Sequence, residues 1–254
     1  MANPTPPVRV IQWCTGKIGQ ICIRHLAANP AFELVGVYTT SATKDGVDAG
    51  VLAGIAPLGV AATTDKAAMF ALDADCVNYL PLTVDIDDME ALLRSGKNMV
   101  TAVGFTFPAV GDEAAARGDE DITIATGVIP AGTVAGMRHR WEAIVHGKPA
   151  IVFQSNWKMA DGLTPDICDG TNRYIVEFHG EPSTKITLEH LEASATGDPG
   201  YPGRIWTGMS VVNLIHDVVA APPGIRTHLD LPVGRPRGLF HDGHTWRGPL
   251  PAVG

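Results

Sequence analysis

Val8-Arg9-Val10-Ile11-Gln12-Trp13-Cys14-Thr15-Gly16-Lys17-Ile18-Gly19 runs from a short apolar stretch through a small-residue turn into a helical pattern. Val8 to Trp13 has the apolar density of a strand. Thr15-Gly16 breaks it, and Ile18, Ile21, Cys22 and Leu26 then recur at helical spacing until Pro30. Strand, tight turn and helix in that order are the setting in which a G-x-G-x-x-G segment holds a dinucleotide. The middle glycine lets the backbone approach the pyrophosphate, and the last lets helix pack on strand. Gly16 and Gly19 stand in those two places, with Cys14 where the first glycine is usual. Thr15, Gly16, Lys17, Ile18 and Gly19 are therefore the candidate cradle, because a helix N-terminus favours an anion. The competing reading is a plain strand-to-helix turn that needs small residues.

Outward from this segment, strands are expected at Glu33–Tyr38, Val60–Ala62, Asp75–Leu80 and Met99–Val103. Between them fall a helix capped by Thr64 or Asp65 and one from about Asp85 to Ser95, stopped by Gly96. Strands alternating with helices predict a parallel sheet covered on both faces. From about Ile122 the rhythm changes. Gly132–Val145 and Ala150–Lys158 read as a hairpin around Gly147-Lys148-Pro149, and Tyr174–Phe178 and Lys185–Leu191 as a second around Gly180-Glu181-Pro182. Val211, Val212, Leu214, Ile215, Val218 and Val219 form one late helical face, stopped by Pro222-Pro223-Gly224. The expected fold is α/β: a Rossmann-type parallel sheet domain plus an α+β second domain with a mostly antiparallel sheet. The expected divisions are a dinucleotide-binding domain over 1–118, a substrate and dimerisation domain over 119–206, and a C-terminal helix and strap over 207–254 packing back toward the cleft. Near Gly118-Asp119-Glu120-Asp121 the pattern jumps from a helix that has barely begun to a strand of another sheet, which suggests residues missing there.

The chain has 254 residues, 45% hydrophobic and 18% charged, an ordinary globular composition with room for two cores. A net charge of −8 without a basic cluster argues against nucleic acid or an anionic membrane surface as partner. Cys14, Cys22, Cys76 and Cys168 show no metal-ligand spacing and no disulfide framework, so no metal is expected and a reducing cytoplasm fits. Met1 to Pro7 lacks the pattern of a signal peptide. The longest apolar stretch, Val51–Ala62, is broken by Gly54, Pro57 and Gly59 and is too short for a membrane span.

NAD-binding sheets usually carry a carboxylate at the end of the second strand for the ribose diol. Here that region reads Tyr38-Thr39-Thr40-Ser41-Ala42-Thr43-Lys44, so Thr40, Ser41 and Lys44 are candidates for a 2′-phosphate. NADP(H) is favoured over NAD(H), although Ser41 or Thr43 would also cap a turn. The switch-point rule places the rest of the ligands outside the carboxyl ends of the strands. Tyr79 and Pro81 there are candidates for the cofactor, and Gly104 and Phe105 for a small-molecule substrate, with Tyr79 and Phe105 equally readable as core aromatics. His139, His146, His179 and His190 are scattered, with nothing pairing them. Asn213 and His216 share a face if one helix carries both, and would then orient a substrate.

The chain resembles the dihydrodipicolinate-reductase-like oxidoreductases that include 2,4-diaminopentanoate dehydrogenase and the native amine dehydrogenases. The resemblance rests on Val10–Gly19, Glu33–Val37, Leu72–Val77, Ser95–Thr101, Ile129–Gly136 and Ala221–Ile225, so it runs nearly end to end. It implies a homodimer, NAD(P)H in the N-terminal domain, a substrate cleft between domains, and interconversion of ketones, or imines formed with ammonia, and amines. The amine dehydrogenases are similar in placing a glutamate just after the fifth strand. The corresponding Thr101-Ala102-Val103-Gly104-Phe105 has none, and the next carboxylate is Asp112. The paired histidines and lysine of dihydrodipicolinate reductase are also absent. The resemblance thus implies an NADPH-dependent oxidoreductase whose catalytic acid is unassigned. The alternative, favoured by Gly104 and a chain shorter than its relatives, is an NADP(H)-binding regulatory or sensor protein without turnover.

Overall fold

The computed structural model describes residues 6–103, 112–124, 127–167, 172–190, 194, 200–227 and 230–232. It divides the chain into two units, Met1–Phe105 with Glu192–Ser194 and Pro199–Gly254, and Thr106–Leu191 with Ala195–Asp198.

The first unit is built on β1 (Val8–Trp13), α1 (Lys17–Ala28), β2 (Phe32–Tyr38), α2 (Ala49–Ala53), β3 (Ala62–Thr63), α3 (Lys66–Ala71), β4 (Cys76–Tyr79), α4 (Ile86–Arg94) and β5 (Asn98–Thr101). The strands form one parallel sheet in the order β3-β2-β1-β4-β5. Successive β1 residues explain why the strand is apolar on both sides. Val10 enters a core with Cys22, Leu26, Cys76 and Val100, while Ile11 and Trp13 enter another with Met69, Val77, Tyr79 and Leu92. Asp65 and Asp85 cap α3 and α4 by accepting the N–H of Ala68 and of Asp88, both at 3.1 Å.

Helix α2 overlaps the start of Val51–Ala62, a stretch whose sequence shows only a broken apolar run. Its cap supplies the missing signal: the Asp48 carboxylate accepts the N–H groups of Gly50 and Val51 and, across the loop, of Leu58 and Gly59. Gly54 then ends the helix in the left-handed region at φ 73°.

The second unit contains β6 (Asp112–Arg117), β7 (Ile122–Ile124), β8 (Gly127–Ile129), β9 (Val134–Val145), β10 (Lys148–Lys158), β11 (Asn172–Phe178) and β12 (Thr184–Leu188). Five of them form an antiparallel sheet in the order β12-β11-β10-β9-β6, and β7 and β8 make a separate hairpin. The β9–β10 turn lies one residue earlier than expected. His146 and Gly147 occupy it at φ 50° and 75°, and Lys148 already pairs with Val145.

The expected helix before Gly118 is a strand. Asp-Glu-Ala-Ala-Ala-Arg has good helix propensity, but β6 pairs with β9, and buried Ala116 packs in a small core with Ala135, Leu163 and Ile167. Arg117 and Thr164 also exchange backbone hydrogen bonds at 2.9 and 2.8 Å, so tertiary pairing overrides local preference. The pattern break at Gly118-Asp119-Glu120-Asp121 falls at the turn from β6 to β7. There Gly118 O accepts the N–H of Gly132 and Asp121 Oδ1 that of Ala131, both at 2.8 Å. Strand β6 also falls inside the range 1–118 assigned to the dinucleotide domain, yet it belongs to the antiparallel sheet.

The single late helix is two, α5 (Tyr201–Val212) and α6 (Ile215–Ala220), separated at Asn213-Leu214. Both belong to the first unit. Val211, Val212 and Ile215 join the core of Val10 and Cys22, and a β-carbon at Gly208 would stand 3.0 Å from Cys22 Sγ, so α5 lies close on α1. The strap beyond residue 232 lies outside the described residues.

Candidate functional site

The turn after β1 is held from both sides. Cys14 N–H donates to Tyr38 O at 2.9 Å, tying the turn to β2. Cys14 adopts φ 74°, the left-handed conformation in which the first glycine of the motif is usual and in which a side chain costs about 1–2 kcal/mol. Gly19 is indispensable in a different way: a β-carbon there would lie inside the contact distance of Cys14 O and 3.3 Å from Gln12 Nε2. Gly16, by contrast, has nothing within 4 Å of where its β-carbon would be, so its exposed surface is open to a ligand. Helices α2, α3 and α4 are each capped by an aspartate, whereas α1 begins at Gly16 with no side-chain cap and no carboxylate in its first turn. An open turn feeding an uncapped helix end fits a pyrophosphate.

The end of β2 comes to the same place. Lys44 Nζ donates to Thr15 O at 2.9 Å, and Thr15 Oγ1 lies 3.0 Å from Thr39 Oγ1. Thr39 also accepts the Ser41 N–H at 3.3 Å, and the Ser41 and Thr43 hydroxyls are 2.9 Å apart. Thr40 is exposed, and Ser41 and Lys44 are half-buried. The structure therefore gathers Thr15, Gly16, Ser41 and Lys44 at one rim of the sheet.

Other candidates fall elsewhere. The Tyr79 ring is wholly buried beside Trp13, and its hydroxyl donates to Asp85 O and accepts Asp85 N–H, so this side chain is core and holds the start of α4. Pro81 is half-buried in the loop after β4, where Leu80 N–H donates to Trp13 O at 3.2 Å. His216 packs against Phe32, the first residue of β2, with ring centroids 4.9 Å apart and the rings tilted by 42°. That is the opposite end of the sheet from the turn, about 20 Å away along the strand. Asn213 ends α5 while His216 lies in α6, so the shared helical face does not exist. Gly104 and Phe105 lie outside the described residues. Among the described residues no cluster of His, Cys, Asp and Glu could hold a metal, and no helix is long and apolar enough to cross a membrane.

Sequence reading missed Gln12, Thr39 and Asn78. Gln12 is wholly buried, with Nε2 donating to Trp13 O (3.2 Å) and Cys14 O (3.1 Å) and Oε1 accepting from Asn78 Nδ2 at 2.8 Å. The available signal was a glutamine inside an apolar strand.

Burial pushes the Cys14 thiol up to about 11, with the Asp88 carboxylate adding to the effect and Lys66 and Lys44 opposing it. The thiol stays protonated through the physiological range and brings no negative charge to a phosphate site. Iodoacetamide alkylation of Cys14 is expected to be slow at pH 8 and still rising above pH 9. A rate that levels off below pH 9 would contradict this.

Residues 10–113 match the model described as the N-terminus of dihydrodipicolinate reductase, and residues 99–245 match that of the 2,4-diaminopentanoate dehydrogenase C-terminal domain. A 4-hydroxy-tetrahydrodipicolinate reductase of Synechococcus elongatus is 38% identical over 85 residues, 34% of this chain and 30% of that protein. An amine dehydrogenase of Streptomyces virginiae is 29% identical over 147 residues, 53% of this chain and 39% of that protein. The matches thus span well under half the length of these curated relatives. In fold, the chain is similar to an amine dehydrogenase from Mycobacterium smegmatis, with TM-score 0.63 at 16% identity over 92% of this chain and 98% of the other. With more than half its length matched by one model and the motif-bearing half by the other, the chain belongs to the dihydrodipicolinate-reductase-like family of NAD(P)-dependent oxidoreductases, with a C-terminal half of the 2,4-diaminopentanoate dehydrogenase type.

Proposed function

We propose that this protein is an NADPH-dependent oxidoreductase acting on a ketone, imine or amine carbon. The observation that carries the reading is the open Gly16 turn with Lys44 reaching it from the end of β2. The main chain of Thr15 to Gly19 holds the pyrophosphate, Thr40, Ser41 and Lys44 take the 2′-phosphate, and the loop around Pro81 borders the cofactor. NAD(H) binds the same cradle more weakly, lacking the charge-assisted contacts. Bound there, the nicotinamide supplies the hydride. Similarity to amine dehydrogenases supports a carbonyl or amine carbon as the reacting centre, with a small-molecule substrate.

The homodimer the family implies has a suitable surface on the antiparallel sheet. Met137, Ile151, Phe153, Trp157, Phe178 and Leu188 project from one face of β9–β12 and are exposed. Trp141, Phe153 and Tyr174 form a ring ladder across its middle at 5.3 and 6.1 Å. An apolar patch of this extent marks an association surface, and a second copy fits it.

A second reading, an NADP(H)-binding regulatory protein without turnover, is favoured by one observation. No carboxylate follows β5 until Asp112, which lies in β6 of the other sheet. Losing a general acid or base costs about 10²–10⁴-fold. Ketone panels with ammonium are therefore expected to consume NADPH slowly, and Gly104→Glu to accelerate consumption by up to about 10²-fold. Consumption by neither form, with NADPH bound, would favour the regulatory reading. Fast amination by the unmodified protein would show that another group already serves as the acid.

A further inference from the structure

We infer that Gln12 is a positioning residue for the cofactor turn, bracing the Cys14 carbonyl so that a side-chain-bearing residue can occupy the left-handed position; this rests on the cofactor reading above. A buried amide is costly unless its polar atoms are paired. Every polar atom of the Gln12 amide is paired: Nε2 donates to the carbonyls of Trp13 and Cys14, and Oε1 accepts from Asn78, which faces Gln12 in register across β1 and β4. An apolar side chain would fill position 12 without that cost, as its neighbours Ile11 and Trp13 do. What only an amide supplies is a donor to the turn.

The donor is needed because of where the Cys14 carbonyl points. With φ at 74°, the oxygen is aimed into α1, where carbonyl, Gln12 Nε2 and the bare Cα of Gly19 converge. Glycine would adopt this conformation freely, whereas cysteine is strained in it and favours leaving it. The bond from Gln12 opposes that relaxation. Because a peptide is planar and trans, fixing the Cys14 C=O also fixes the Thr15 N–H on the opposite edge of the same plane. Gln12 thus sets the direction of a turn N–H without touching the cofactor.

The test compares Gln12→Met, Cys14→Gly and the double variant in the full chain. Calorimetry gives the NADPH affinity, and hydrogen exchange follows the amides of residues 14–19 in ligand-free protein. Gln12→Met is expected to weaken NADPH binding about tenfold and to speed exchange across the turn. In the double variant both are expected to return to the values of Cys14→Gly alone, because glycine does not need the brace. Unchanged affinity and exchange in Gln12→Met would overturn the inference. So would a double variant as impaired as Gln12→Met, which would make residue 12 a matter of packing only. If Gln12→Met does not fold, Asn78→Ala removes the donor to Gln12 Oε1 and is expected to shift both readouts the same way by less. No shift there also overturns it. Should the unmodified protein bind no dinucleotide, the cofactor reading fails, while the exchange data still decide the role of Gln12.

Discussion

Gly19→Ala is expected to destabilise the protein and weaken NADPH and NADH alike. In an ordinary helix this substitution stabilises by about 0.5–1 kcal/mol, since alanine loses less backbone entropy. At Gly19 the new methyl would be driven into the Cys14 carbonyl oxygen, a backbone atom that cannot swing aside. Overpacking of this kind costs about 1–3 kcal/mol, so the contact outweighs propensity and the net sign is reversed. Because relief comes only by moving the turn, Kd for either dinucleotide should rise about tenfold or more. Gly203 in α5 is the control, with nothing within 4 Å of its β-carbon position, so Gly203→Ala is expected to raise stability slightly. Thermal melting with dinucleotide titration checks both. If Gly19→Ala melts and binds as the parent does, the close approach of α1 to the turn is not real.

Lys44→Ala is expected to act on one cofactor only. A charge-assisted bond to a phosphate contributes about 1.5–3 kcal/mol, which corresponds to a loss of about 10- to 100-fold in NADPH affinity. NADH has no 2′-phosphate and should change by about twofold at most. The competing role for Lys44 is visible in the structure, since Nζ already holds Thr15 O at 2.9 Å. If bracing the turn were its whole purpose, NADPH and NADH would weaken equally. The ratio of the two affinities, compared with the parent's, therefore separates phosphate recognition from bracing.

The parallel sheet was legible because local signals and tertiary roles agree there. Val8–Trp13 is apolar on both faces, Asp65 and Asp85 cap where capping residues are expected, and the Gly16–Gly19 spacing reports the contact of α1 with the turn. Reading failed where long-range pairing decides. Asp112–Arg117 is extended because β9 and Thr164 take its backbone bonds, a partner that helix propensity does not register. Asn213 and His216 share a face only on an unbroken helix, and the helix is interrupted between them. Periodicity also says nothing about which end of a sheet a side chain reaches, so His216, packed against Phe32, looked like a site residue. Gln12 and Asn78 are polar residues in buried strands, and their partnership appears only when β1 and β4 are in register.

The turn from Cys14 to Gly19 and the Thr40–Lys44 segment are together expected to form an NADPH site. Calorimetric titration of the full chain with NADPH and with NADH tests it most directly. The expected result is one NADPH per chain, bound about tenfold or more tightly than NADH, with the difference shrinking as salt screens the 2′-phosphate contacts. No heat of binding with either nucleotide, or tighter binding of NADH, would contradict it.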